Sequence, residues 1–223
     1  ERSGAAVAHI SPAHQFPTGI VTPMPRRLAL LDWARSTGGY IIEDDYDGEF
    51  GARQRPLPTL AGIDRAGRVI YMSTFSQTVS PALRIGFLVL PERLCGLWRE
   101  RLGFYSCAVP SLEQQVLARF ISGGYYERHL NRLRKAAREK RAALSAAIEA
   151  SPLAPIAALP EPGAGVHLLL RMDTPLSDAE ARRRGEEHGL ALSFLSDYAA
   201  SPGHAAQHTL VINCAALPAS RLD

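Results

Sequence analysis

The chain has 223 residues, of which 46% are hydrophobic and 21% charged, with a formal net charge of +3. This is enough apolar material for one or two cored domains, and it excludes an intrinsically disordered chain. No apolar run is long enough to span a bilayer, and the start, Glu1-Arg2-Ser3-Gly4, has no signal-peptide core.

Cys95, Cys107 and Cys214 are far apart, odd in number and without a CxxC pair. Three buried thiols in a cytosolic protein are therefore expected, with neither a disulfide framework nor a zinc site. The basic residues gather at Arg128, Arg132, Arg134, Lys135, Arg138, Lys140 and Arg141, and again at Arg182, Arg183 and Arg184. Glu127, Glu139, Glu186 and Glu187 are interspersed among them, so both groups read as solvated helix faces. The chain contains no helix-turn-helix pattern or other nucleic-acid motif.

In chain order, residues 6–10 form a short apolar strand ending at Ser11-Pro12. A helix follows over about 25–36, with Leu28, Leu30, Leu31, Trp33 and Ala34 as its apolar stripe. Strands are expected at 40–42, at 69–72 and at 85–90, the last ended by Pro91. Such apolar runs, separated by a helix or a loop, predict a buried, largely parallel sheet. Residues 92–102 and 112–122 read as helices, and 125–149 as one long amphipathic helix with Leu130, Leu133, Ala137, Leu144 and Ile148 on its apolar side. Tyr125 and Tyr126 are expected to pack its start. Ser151-Pro152-Leu153-Ala154-Pro155 marks a subdomain boundary. Beyond it come a strand at 166–170, a helix at 177–188 opening on a capping box (Ser177, Glu180), a short strand at 190–194 and a last strand at 210–214. The domains expected are 1–124, a connecting helix at 125–151, and a small α/β unit at 152–223.

Three stretches could carry chemistry. The run Glu43-Asp44-Asp45-Tyr46-Asp47-Gly48-Glu49-Phe50 places five acids directly after a strand, where ligands bind in open α/β sheets. A magnesium–nucleotide site would want a GK[ST] loop, and the chain has no Gly-Lys pair. A structural turn and a carboxylate partner for a pyridine nitrogen both remain open. The second stretch is the Pro/Gly-punctuated loop over 11–19. The third is Ser73-Thr74-Phe75-Ser76-Gln77 with Arg84, whose hydroxyls and guanidinium suit a phosphate dianion. His14 and His167 read as turn or core histidines. Ser76 has no GxSxG elbow, which argues against a hydrolase triad.

Together, SPAHQFPTG at 11–19, IIEDDYDGEF at 41–50 and VIYMSTFSQTVSPALRIGFLVLP at 69–91 resemble the aminotransferase-like domain of the MocR subgroup of GntR-type transcriptional regulators. YERHLNRLRKAAREKRAAL at 126–144 and GAGVHLLL at 163–170 extend the resemblance over nearly the whole chain. It implies an α/β fold of the pyridoxal-phosphate-dependent transferases, fold type I: part of the large-domain sheet with flanking helices, plus a small C-terminal subdomain. It also implies a pyridoxal 5'-phosphate site in which Asp44 meets the pyridine nitrogen and Tyr46 the ring hydroxyl. Thr74, Ser76 and Arg84 would lie near the phosphate, and Gln77 at the position of the lysine that attaches the cofactor. The implied partners are a second copy of the chain, DNA through an N-terminal winged-helix domain not in this sequence, and a small amine or amino-acid effector. No membrane is implied, and the location is cytoplasmic.

The departures from that pattern are chemical. A carboxamide nitrogen is delocalised into its carbonyl and cannot attack an aldehyde, so Gln77 removes covalent attachment. The only lysines, Lys135 and Lys140, lie on the long helix. The resemblance starts near the middle of the family domain, without its glycine-rich phosphate helix or the aromatic that stacks on the ring. The last strand carries no arginine for a substrate carboxylate, and nothing places Arg221 in the site. The expectation is an effector-sensing domain with no catalytic residue. Its rivals are a class I/II aminotransferase whose lysine was replaced and a non-binding dimerisation scaffold. An unpaired sheet edge and an exposed apolar face are also expected, to be covered by a partner segment or by self-association.

Overall fold

The computed structural model describes residues 4–51, 57–159, 167–199 and 207–214. They form two compact units, one comprising residues 1–15 and 21–133, the other 16–20 and 134–223.

In the first unit, strands β1 (Val7–Ile10), β2 (Tyr40–Asp44), β3 (Val69–Thr74) and β4 (Gly86–Val89) form a sheet in that order. β1–β2 and β2–β3 are parallel, whereas β4 turns back antiparallel to β3. The expected buried, largely parallel sheet is thus corrected at its end: every residue of β4 is exposed, Phe87, Leu88 and Val89 included. β4 pairs on one side only among the described residues, which leaves it an edge. Helix α1 (Met24–Thr37) covers the sheet, with Ala34, Ile41, Leu60 and Val69 at the centre of the core and Ile10, Leu30, Leu31 and Trp33 packed around them. Leu28 is exposed instead of joining the stripe; the buried position one residue earlier belongs to Arg27.

The short helix α2 (Leu60–Ile63) is capped by Thr59, whose hydroxyl accepts from the Gly62 N–H. Helices α3 (Glu92–Leu102) and α4 (Ser111–Ser122) follow β4. Helix α5 (Tyr125–Ala150) begins in the first unit and ends in the second, which divide between Leu133 and Arg134. At its start Tyr126 is the packed tyrosine, edge-on to Phe75 and donating to the hydroxyl of fully buried Thr78 at 3.2 Å. Tyr125 is exposed, stacked on Phe120 beneath the Arg128 guanidinium.

In the second unit, β5 (Ala157–Ala158), β6 (His167–Met172) and β7 (Thr209–Asn213) form an antiparallel sheet, accompanied by helix α6 (Asp178–Glu187). Only half of the expected capping box forms. Ser177 accepts from the Glu180 N–H, but the Glu180 carboxylate turns to Arg183 and Arg184. Residues 190–194 are not a strand: a single bridge, Phe194 to Leu210, forms before the chain coils into a 3-10 turn over Leu195–Tyr198. That turn is fixed by Asp197, which accepts from the Phe194 N–H and binds Arg182 through both carboxylate oxygens at 2.6 and 2.7 Å. The Arg182–Arg184 group is therefore neutralised by neighbouring acids, as a solvated face would be.

The cysteines depart from expectation. Only Cys214 is buried, its thiol pushed up by burial; Cys95 is half-buried and Cys107 exposed, and all three are free. Residue 166, the 163–166 part of the small-domain stretch, and Arg221 lie outside the described residues.

Candidate functional site

The acid-rich run resolves into separate jobs, sorted by strand alternation. Ile41 and Glu43 point to the α1 side. Glu43 is 1% exposed and accepts from the Leu60 and Ala61 N–H groups, both at 2.8 Å, holding the start of α2. Burial raises its carboxyl above the ordinary range despite those bonds. Asp45 accepts from the Tyr71 hydroxyl at 2.8 Å, and its carboxyl is likewise raised by burial. Gly48 leaves room for it: a Cβ there would lie 2.0 Å from Asp45 Oδ1, so the carboxylate would have to move. Asp47 is buried against His14. Asp44 and Tyr46, on the opposite alternation, line a cavity.

That cavity, of about 890 Å³, is also lined by Met72, Ser73, Thr74, Ser76, Arg84 and Gly86, with an apolar wall that includes Phe87, Leu88 and Trp98. The register Asp44↔Met72 and Thr74↔Gly86 brings the ends of β2, β3 and β4 to it. A Cβ on Gly86 would come within 3.1 Å of the Ser73 carbonyl, so the close pairing of β3 with β4 favours glycine at this point of the lining.

Thr74 donates to the Ile85 carbonyl at 3.1 Å and accepts from the Ser76 N–H at 3.1 Å, with the two hydroxyl oxygens 3.0 Å apart. Arg84 has φ 51, the left-handed region, after a 3-10 turn over Pro81–Leu83. Its guanidinium makes no hydrogen bond or ion pair among the described residues. A non-glycine residue held there costs of order 1 kcal/mol, and such strain gathers at ligand sites. The Asp44 carboxylate meets His9 Nε2 at 3.3 Å.

Of the residues expected from the sequence, the structure brings together Asp44, Tyr46, Thr74, Ser76 and Arg84. Gln77 lies in the turn that follows β3, exposed and not among the cavity-lining residues. The apolar wall and His9 were not expected. The alternation of β3, Met72 with Thr74, carried the signal for Met72; Trp98 reaches the cavity through the packing of α3, which no local pattern encodes. His14 is a core histidine, 2% exposed. The lining suits a pyridine phosphate: a carboxylate for a protonated ring nitrogen, a phenol for a ring oxygen, and the Ser76 hydroxyl and Arg84 guanidinium, beside Thr74, for a phosphate.

No family model matches the chain. It is 38% identical over 206 residues to an uncharacterised HTH-type transcriptional regulator of Bacillus subtilis, YhdI, across 92% of this chain and 43% of the relative. It is 36% identical over 195 residues to the probable rhizopine catabolism regulatory protein MocR of Rhizobium meliloti, across 87% of this chain and 39% of that protein. The chain belongs to the aminotransferase-like domains of the MocR group.

It spans less than half the length of these curated relatives. Among solved structures, the α-aminoadipate aminotransferase LysN of Thermus thermophilus, complexed with N-(5'-phosphopyridoxyl)-L-leucine, superposes with a TM-score of 0.77 at 29% identity, covering 93% of this chain and 53% of that one. Kynurenine aminotransferase of Pyrococcus horikoshii gives a TM-score of 0.81 over 97% of this chain and 53% of that one; at 24% identity it speaks for the fold alone. The fold of this MocR-group domain is fold type I of the pyridoxal-phosphate-dependent transferases.

Proposed function

We propose that this chain is the effector-sensing domain of a MocR-type regulator, and that it holds pyridoxal 5'-phosphate without a covalent bond. In this reading Asp44 stabilises the protonated ring nitrogen, Tyr46 faces the ring hydroxyl, and Thr74, Ser76 and Arg84 hold the phosphate. The cofactor, when bound, supplies an aldehyde able to react with the amine of an effector. The intact protein binds DNA through a winged-helix domain outside this chain and pairs as a homodimer; the effector is a small amine or amino acid.

The observation that carries this reading is the convergence of Asp44, Tyr46, Thr74, Ser76 and Arg84 on one cavity; by the family resemblance, Gln77 stands where the attaching lysine would be. Losing the covalent bond and an ammonium weakens binding by on the order of a few kcal/mol, two or more decades in affinity.

The test compares the protein with its Gln77→Lys variant. Pyridoxal phosphate should bind the parent reversibly, with no new visible absorbance, and should be lost on Arg84→Ala. The lysine variant should gain a visible band that borohydride fixes to the chain, without amino-group transfer. Transfer by that variant would support the replaced-lysine aminotransferase instead. No binding by either form would leave the dimerisation scaffold.

A further inference from the structure

Beside the cavity lies a buried polar pair that the pocket alone does not explain. His14 Nδ1 and Asp47 Oδ2 are 2.7 Å apart, and both side chains are 1% exposed. The same Nδ1 lies 3.2 Å from the Tyr46 hydroxyl. One ring nitrogen thus faces two oxygens, and the proton arrangement follows from which of them can only accept.

A carboxylate only accepts, so a 2.7 Å contact with Asp47 in that form requires the hydrogen to sit on Nδ1. A protonated Nδ1 has no in-plane lone pair, and it cannot also accept from Tyr46. The Tyr46 proton is therefore not used by His14. Among the described residues the Tyr46 hydroxyl has no other hydrogen-bond partner, and the side chain lines the cavity.

We propose that His14 and Asp47 are positioning residues: Asp47 fixes the tautomer of His14, and His14 in turn leaves Tyr46 as a hydrogen-bond donor into the cavity. The ligand is then one that presents an acceptor oxygen, best an anionic one, on its ring beside Tyr46. This rests on the pyridine-phosphate reading of the pocket and narrows it to 3-oxido ligands. Burial, with the charges of Asp47 and Asp44, pushes the Tyr46 phenol up, which keeps the proton it would donate.

Three measurements decide it. Nitrogen chemical shifts of the labelled protein should show His14 protonated at Nδ1; a ring protonated at Nε2 alone overturns the proposal, whatever binds. Affinities are then compared for pyridoxal phosphate and for its analogue with hydrogen in place of the ring hydroxyl. The parent should prefer the hydroxyl-bearing ligand by about 10–100-fold, as a charge-assisted hydrogen bond requires, and Tyr46→Phe should erase the preference. In Asp47→Leu, Nδ1 becomes free to accept from Tyr46. The preference should collapse as in Tyr46→Phe, while affinity for the analogue stays within about twofold. Asp47→Asn, whose amide oxygen can accept the same N–H, should keep most of the preference.

An unchanged preference in Asp47→Leu, or equal loss of both ligands in Asp47→Asn, overturns this proposal alone. A parent that binds neither ligand overturns the pocket reading and this proposal with it.

Discussion

Arg27 is 2% exposed on a helix face that its neighbours fill with leucine, tryptophan and alanine. It remains there because its donors meet backbone acceptors: Nε to the Thr22 carbonyl, Nη1 to Pro58 and Nη2 to Pro12, at 2.7–2.9 Å. Burial lowers its pKa while the charges of Glu43 and Asp45 oppose that shift. Arg27 therefore fastens three loop carbonyls around the end of β2. Arg27→Met should destabilise the protein by about 2–5 kcal/mol, since it strands buried acceptors as well as removing bonds; the urea midpoint measures this. Arg84 is the opposite case, an exposed cation in a strained backbone with no hydrogen bond or ion pair among the described residues. Arg84→Gly should leave stability within about 1 kcal/mol of the parent, because glycine relieves the left-handed strain while adding chain entropy to the unfolded state. The same change should cost pyridoxal phosphate at least about tenfold in affinity. A parallel loss of stability and binding would mean that Arg84 serves the fold.

At the scale of elements, Glu43 in β2 and Asp45 just after it are shifted in the opposite sense to Glu180 in α6 and Asp197 in the neighbouring turn. Glu43 and Asp45 have raised folded values, so they bind protons more readily folded than unfolded. Lowering the pH through their raised values toward the ordinary carboxylate range thus favours the first unit. Asp197 is lowered, first by the Phe194 N–H and then by Arg182, and Glu180 is lowered to about 2 by Arg183 and Arg184. Their stabilisation is present above the ordinary carboxylate range and is lost as the pH falls through their folded values. It is small for Glu180, whose partners are solvent-exposed and screened. Amide exchange compared at about pH 6 and about pH 4 should show β2 and β3 holding or gaining protection relative to the Phe194–Tyr198 segment. The reverse order would exclude buried carboxylates as the dominant titrating groups. Gly48→Ala belongs to this scale too: its Cβ would displace the Asp45 carboxylate and break the bond to Tyr71, so protection at the end of β3 should fall.

For the whole molecule, the exposed apolar side chains are the feature to test. Phe104 is 74% and Tyr105 69% exposed, and β4, α3 and α4 add Leu88, Trp98 and Leu112. A homodimer, as proposed, would bury such groups. Replacing Phe104 and Tyr105 by serine should raise the dimer dissociation constant by about tenfold or more in sedimentation, because buried aromatics dominate interface energetics. Unchanged association would place the contact elsewhere. The sequence determined the main helices and six of the seven strands among the described residues, because apolar periodicity and Pro/Gly punctuation are local; it also carried the family resemblance and singled out Asp44, Tyr46, Thr74, Ser76 and Arg84, which line one cavity. Only the tertiary structure decided what five acids in one run do. Glu43 caps a helix 17 residues on, Asp45 takes the hydroxyl of Tyr71, and Asp47 takes the ring of His14, each through a partner remote in the chain. It likewise decided that β4 turns antiparallel and exposed, that 190–194 makes one bridge only, and that Arg27 is core. Pairing direction and burial depend on which distant groups arrive opposite, and that information is not in any window of neighbouring residues.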